Sequence, residues 1–178
     1  SDSHALVFKK SDPNYLLIGT DGGLYESFDG TQSWKYVRNL PITQYFKIAV
    51  DDALPFYNVY GGTQDNGSHM GPSRTISSDG IASADWRKTL GADGAQTATE
   101  PGNPNISYGE FQQGALWRID NKTRETVFIQ PQAREGDPYE RFNWDAPILV
   151  SFHDPKRLYF ASQRVWKSEN RGDGWEPI

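Results

Sequence analysis

The stretch Asp12-Pro13-Asn14-Tyr15-Leu16-Leu17-Ile18-Gly19-Thr20-Asp21-Gly22-Gly23-Leu24-Tyr25-Glu26-Ser27 decides the fold. A proline follows a polar residue, an extended apolar run comes next, and a glycine-rich turn leads into a second run. Proline fixes φ and lacks a donor, so it opens the run rather than sitting inside it. Gly22-Gly23 admits the positive φ of a tight hairpin. The same order returns at Leu54-Pro55-Phe56 to Gly61, Asn103-Pro104-Asn105 to Gly109 and Asp154-Pro155-Lys156 to Ala161. The four prolines, Pro13, Pro55, Pro104 and Pro155, are 42, 49 and 51 residues apart. A period of about 40–50 residues with several short strands per unit is that of β-propeller blades.

Each unit divides into four strands. In the first they are Ala5–Phe8, Tyr15–Gly19, Leu24–Ser27 and Trp34–Leu40. The second gives Tyr45–Val50 and Phe56–Gly61, the turn at residues 63–67, then a loop insertion expected between residues 69 and 84. The third gives Ala95–Thr99, Ile106–Glu110, Ala115–Ile119 and Glu125–Ile129, and the fourth Pro147–Ser151, Arg157–Ala161, Arg164–Ser168 and a start at Trp175. The fold expected is all-β: four four-stranded antiparallel blades at about 4–40, 44–89, 94–130 and 146–178, part of a larger propeller. A β-sandwich also uses short strands, but it need not repeat its turn chemistry at a fixed period. No heptad or 3.6-residue period supports a helical solenoid. The fourth unit breaks off early in its last strand, and most propellers close with more than four blades, so the chain reads as a segment of a longer polypeptide.

Composition narrows the function. The 178 residues carry 18 Lys plus Arg against 23 Asp plus Glu, a net charge of −5, which argues against a nucleic-acid surface. Aromatics make up 13%, with 17 Gly and 11 Pro, a mix suited to strands and tight turns. There is no cysteine, so neither disulfides nor thiol chemistry arise. No apolar run is long enough for a membrane-spanning helix, and no signal peptide opens the chain. His4, His69 and His153 lack metal-ligand spacing, and Asp65-Asn66-Gly67 is too short for a calcium loop, so neither metal nor cofactor is expected. Asn121-Lys122-Thr123 fits the glycosylation sequon.

Two turns between third and fourth strands share a pattern: Ser27-Phe28-Asp29-Gly30-Thr31-Gln32-Ser33-Trp34 and Ser168-Glu169-Asn170-Arg171-Gly172-Asp173-Gly174-Trp175. Both resemble the Asp-box of bacterial neuraminidase (BNR) repeats, S-x-D-x-G-x-x-W. The first has Thr31 where glycine is expected; the second has Asn170 for the aspartate. A short carboxylate or amide there accepts backbone N–H bonds, and the tryptophan packs beneath the turn. Ser27, Asp29, Trp34, Ser168, Asn170, Gly172 and Trp175 are therefore read as structural, with Trp34 expected to be buried. With "YLLIGTDGGLYESFDG" (15–30), "PFYNVYGGTQDNGS" (55–68), "RFNWDAPILVS" (141–151) and "DPKRLYFASQRVW" (154–166), the chain is similar over nearly its whole length to bacterial sortilin-like propeller proteins, often called neuraminidase-repeat glycosyl hydrolases. The resemblance implies a propeller and a secreted or periplasmic home; it supplies no reaction.

Blade geometry sorts the polar residues. Loops joining strands two and three share a face with the segments joining one blade to the next, and the Asp-box turns lie opposite. The first face collects Asp21, Gln64, Asp65, Asn66, Gln112, Gln113, Gln163 and Arg164, with Asp93 and the long run 130–146, which holds Arg141, Trp144 and Asp145. A loop of that length is uncommon without a purpose, and this mixture suits recognition of a protein, peptide or glycan. Gln64, Gln112 and Gln163 recur at matching positions, which equally suits bonds between neighbouring turns. Arg141 and Asp145 could pair with each other, Asp93 could simply shape its turn, and Trp144 could pack between blades. Asp65, Asp93 and Asp145 are the candidates for a glycosidase pair, which needs two carboxylates about 5–9.5 Å apart. A non-catalytic recognition or scaffold role, in a larger assembly, is the leading expectation, with the remaining blades and a protein, peptide or glycan ligand as partners; glycoside hydrolysis, sialidase-like or polysaccharide-cleaving, is the alternative.

Overall fold

The computed structural model describes residues 2–40 and 42–178. The chain forms two compact units, Ser1–Gln44 and Tyr45–Ile178. Their described residues form four four-stranded antiparallel sheets, each built from consecutive strands. No α-helix occurs among the described residues; one turn of 3₁₀-helix spans Ser83–Asp85.

The first unit is one sheet of β1 (Ser3–Lys9), β2 (Asp12–Thr20), β3 (Gly23–Ser27) and β4 (Lys35–Tyr36). The Gly22-Gly23 hairpin sets the register, pairing Thr20 with Gly23 and Leu16 with Ser27. Leu16 is buried, and Tyr25 and Tyr36 face each other across the last two strands at 5.0 Å between ring centroids. The fourth strand is shorter than the Trp34–Leu40 expected.

The second unit holds three sheets. The first comprises β5 (Ile48–Val50), β6 (Asn58–Thr63), β7 (Gly67–Pro72) and β8 (Arg87–Leu90). The next comprises β9 (Gly94–Thr99), β10 (Ile106–Phe111), β11 (Ala115–Asp120) and β12 (Thr126–Phe128). The last comprises β13 (Ile148–Val150), β14 (Leu158–Ala161), β15 (Val165–Ser168) and β16 (Glu176–Pro177). The insertion expected at 69–84 is shorter than that: β7 takes its first residues, pairing Asn58 with Pro72 through to Thr63 with Gly67, and the irregular part begins after Pro72.

First strands of neighbouring sheets meet side by side. Thr99 donates its hydroxyl to the Val50 carbonyl at 2.7 Å, and Gln96 donates its amide to the Ile148 carbonyl at 3.1 Å. The core lies between the last two sheets, where Tyr108, Leu116, Ile129, Ala146, Ile148, Val150, Leu158 and Phe160 form one buried cluster.

The two serine–tryptophan turns make the same bonds. Ser27 Oγ donates to Asp29 Oδ1 at 3.0 Å and accepts the Thr31 N–H at 2.9 Å; Asp29 Oδ1 takes the Ser33 N–H at 2.9 Å. Ser168 Oγ donates to Asn170 Oδ1, accepts the Gly172 N–H, and Asn170 Oδ1 takes the Gly174 N–H, each at 2.9 Å. Both turns carry two successive left-handed residues, Gly30–Thr31 (φ 67° and 78°) and Arg171–Gly172 (φ 60° and 90°). The glycine falls at the second place in one turn for a steric reason: a Cβ on Gly172 would come within 2.5 Å of the Ile129 side chain. Thr31, at the corresponding place, is exposed. The tryptophans differ too. Trp175 donates Nε1–H to the Ile129 carbonyl, just past the last strand of the preceding sheet, at 2.7 Å and packs on Phe160 of its own sheet. Trp34 is 40% exposed, against the expectation that it lies buried beneath its turn. Its turn alone does not supply the neighbouring sheet that covers Trp175.

Candidate functional site

The loops expected on one face of the second unit are tied to one another by hydrogen bonds. Asp65, in the β6–β7 turn with φ 63°, donates its backbone N–H to Asp93 Oδ1 at 2.8 Å. Asp93, in the β8–β9 segment, donates its own N–H to Gln112 Oε1 at 3.1 Å. Gln113, also left-handed at φ 63°, offers its carbonyl to Gln130 Nε2 at 3.1 Å. Asn66 folds back on Gln64, its N–H 2.8 Å from the Gln64 carbonyl. The Asp93 and Gln112 side chains thus each accept a bond from the backbone of the preceding segment. In the first unit, Asp21 takes the Asp2 N–H and pairs with His4.

The run from β12 to β13 is held from below and presents side chains above. Gln163 works like one residue of a neighbouring strand: its Oε1 accepts the Arg141 N–H at 2.7 Å and its Nε2 donates to the Tyr139 carbonyl at 3.4 Å. Arg164 donates Nε–H to Glu140 Oε1 at 2.7 Å, stacks 4.7 Å over Trp166 and reaches Asp137 at 3.4 Å. Burial pushes the Glu140 carboxyl up, but the bonds from Arg164, Ser162 and Trp166 outweigh it and hold the group below its usual range. Phe142 packs on Phe160 with centroids 5.3 Å apart. Inward Glu140 and Phe142 therefore alternate with outward Tyr139 and Arg141, the period-2 habit of extended chain. Tyr139 is 85% and Trp144 45% exposed. The Arg141 guanidinium forms no ion pair with Asp145 among the described residues.

Asp145 belongs instead to a cluster beside the first strands. Its Oδ2 is 2.7 Å from Lys47 Nζ, which also lies 3.4 Å from Gln96 Oε1. Glu110, wholly buried in β10, accepts the Ala146 N–H at 2.8 Å and the Gln96 N–H at 3.4 Å. Burial, reinforced by the neighbouring Asp145 charge and opposed by those two N–H groups and Lys47, leaves its carboxyl pushed up to about 8. Asp65 and Asp93 are brought together; Asp145 is grouped with Glu110, which sequence reasoning missed.

The opposite face holds two more unforeseen acids. Asp51 accepts Asn58 N–H at 2.7 Å and Tyr60 O–H at 2.8 Å, and Tyr60 is reached by Asn121 of the following sheet at 3.0 Å. Glu100, 3% exposed, receives Arg171 of the following sheet in a fork of 2.6 and 2.7 Å, with Asn103 at 3.0 Å and Tyr108 at 3.4 Å. Burial pushes Glu100 up, and the Arg171 and Asn103 bonds bring it below its usual range. Beside this latch a cleft of about 560 Å³ opens between the last two sheets, lined among others by Arg118, Asp120, Glu125, Lys156 and Asp173. Arg118 crosses it to Asp173 at 2.8 Å.

With these sheets in view, the chain is of the β-propeller fold class. It matches the GH74 xyloglucanase of Xanthomonas campestris with a TM-score of 0.52 and 18% identity, over 98% of this chain and 29% of that one. An ancestral GH74 enzyme gives 0.53 and 19%, over 99% and 24%, and the GH74 enzyme of Niastella koreensis 0.52 and 12%, over 98% and 29%. The chain therefore spans less than a third of the length of these enzymes. At such identity the likeness is one of fold. No protein-family model matches the sequence, and no curated protein does.

Proposed function

We propose that this chain is the recognition segment of a longer sortilin-like propeller protein of the Asp-box type, acting outside the cytoplasm with the remaining blades as its neighbours. The face carrying residues 63–67, 91–94 and 130–146 is its platform for a protein, peptide or glycan. The observation that carries this is the 139–144 ridge. Its backbone is fixed by Gln163, Glu140 and Phe142, while Tyr139, Arg141 and Trp144 point to solvent. A fixed backbone presenting aromatic and cationic groups loses little entropy on binding. The turn-to-turn bonds of Asp65, Asp93, Gln112 and Gln113 stiffen the surrounding platform. The test is to screen the chain on glycan and peptide arrays and repeat the screen with Arg141→Ala/Trp144→Ala. Loss of every captured feature with an unchanged circular dichroism spectrum and Tm is expected; unchanged capture refutes the assignment.

A second reading, glycoside hydrolysis, draws on the GH74 fold likeness and on the nearness of the Asp145 charge to Glu110. It ranks lower because Glu110 is wholly buried and cannot itself reach a glycosidic oxygen. Reducing-sugar release from plant and bacterial polysaccharides by the full-length parent, abolished by Asp145→Asn, would favour it.

A further inference from the structure

Two residues past the ridge, at Ala146, the loop's foot is fastened in an unusual way. The Ala146 N–H is donated to a carboxyl oxygen of Glu110, a group with no solvent exposure. One residue earlier, Asp145 gives Oδ2 to Lys47, while Oδ1 is buried and meets no donor among the described residues. Two carboxyl groups thus share the foot of the loop with one cation. Fully ionised, this group would hold a buried negative charge with no counter-ion, a costly arrangement at low dielectric. Neighbouring carboxyls escape it by keeping a proton.

We propose that the buried Glu110 carboxyl stays uncharged in the folded chain, and that this uncharged state fastens the foot of the loop next to the Tyr139–Trp144 ridge, so that rising pH loosens it. The consequence for ligand capture rests on the recognition reading; the fastening does not. The charged groups acting on Glu110 are Asp145, from the segment entering β13, and Lys47, from the segment entering β5. At the other anchor Arg164 is held above its usual range by Glu140, and Glu140 below its own. That anchor stays charged through the alkaline range, so release is confined to the foot of the loop.

The direction follows from linkage. Glu110 titrates at about 8 in the fold against an ordinary value of 4.5, so the fastened state binds the extra proton between those values. The fastening is fully present below pH 4.5 and weakens as pH rises towards 8 relative to any state that exposes the group.

The test is hydrogen exchange of residues 143–147 in the chain from pH 6 to 9.5, corrected for intrinsic base catalysis, with ¹³C NMR titration of the glutamate carboxyls. Expected are a carboxyl midpoint near 8 for Glu110 and protection that falls by up to about tenfold per pH unit up to about pH 8 and levels off above it. Glu110→Gln, which keeps an acceptor for Ala146 and supplies N–H donors in place of the acid proton, should show a flat profile. The same loss in Glu110→Gln as in the wild type overturns the proposal, as does a Glu110 midpoint below about 6. If Glu110→Gln fails to fold, the wild-type titration decides alone. Neither readout needs a ligand, so failure here and failure of the array experiment are distinguishable.

Discussion

Replacing Arg171 by methionine isolates the latch between the last two sheets. The change keeps the apolar stem and removes the guanidinium that forks onto Glu100 at 2.6 and 2.7 Å. Glu100 remains 3% exposed, with Asn103 and Tyr108 as its surviving neutral donors. Removing one partner of a buried ion pair costs about 3–5 kcal/mol because the other charge is stranded. The two remaining donors put the expected loss at the low end, about 3 kcal/mol. For a unit of this size that lowers Tm by roughly 10 °C. Urea denaturation at pH 7, followed by tryptophan fluorescence, measures it. Adding Glu100→Gln should recover most of the loss, leaving the double variant within about 1 kcal/mol of the wild type, since neutralising both partners removes the stranded charge. The single variant should also recover as pH is lowered. Without its cation, burial alone lifts the Glu100 carboxyl, so acid protonates it before the unfolded chain and relieves the penalty. An Arg171→Met loss below about 1 kcal/mol, or no rescue by Glu100→Gln, would refute the latch.

Three further outcomes follow from the same geometry. Trp175→Ala should cost about 3 kcal/mol through the cavity left against Ile129 and Phe160, whereas Trp34→Ala, removing a ring already 40% exposed, should cost far less; parallel urea titrations compare them. Asn170→Ala should cost about 1 kcal/mol, the scale of the turn bonds it makes to Ser168 and Gly174, without touching array binding. Because Glu140 and Glu100 are both held below their usual 4.5, their bonds contribute fully above that value and are lost as pH falls through the folded-state titration; the drop in Tm below about pH 4.5 should be shallower in Glu140→Gln and Glu100→Gln than in the wild type.

What was legible in the sequence was local. Pro13, Gly22-Gly23 and their later copies carry their conformational preference in single residues, so the repeat and most strands could be placed from the chain alone. β7 could not: GSHMGP has no apolar alternation, and it is a strand because β6 pairs with it residue by residue. Trp34 was misplaced for a related reason, since a tryptophan's burial depends on which sheet lies next to its turn. On the candidate face, Gln112 and Gln163 showed themselves by repetition, and they bond to neighbouring segments. Glu100, Glu110 and Glu140 did not, because their partners Arg171, Ala146 and Arg164 lie 71, 36 and 24 residues further on and meet them only in the folded chain.

One unread signal was nevertheless present. An acid just after the first strand and a tyrosine in the second recur as Asp51 with Tyr60 and Glu100 with Tyr108, each pair joined through the phenol. The tyrosine is fixed by register: Tyr60 pairs with Ala49 and Tyr108 with Ala98, in each case two residues before the acid. In the last sheet the same register pairs Tyr159 with Leu149, and Ser151 stands in the acid's place. Tyr159 is there only half-buried, while Tyr60 and Tyr108 have no exposure at all. A buried phenol needs an acceptor, and a buried carboxylate needs donors. The acid and the depth of the tyrosine therefore change together from sheet to sheet. A residue with no motif of its own can be recognised as half of a buried pair by comparing one repeat with the next.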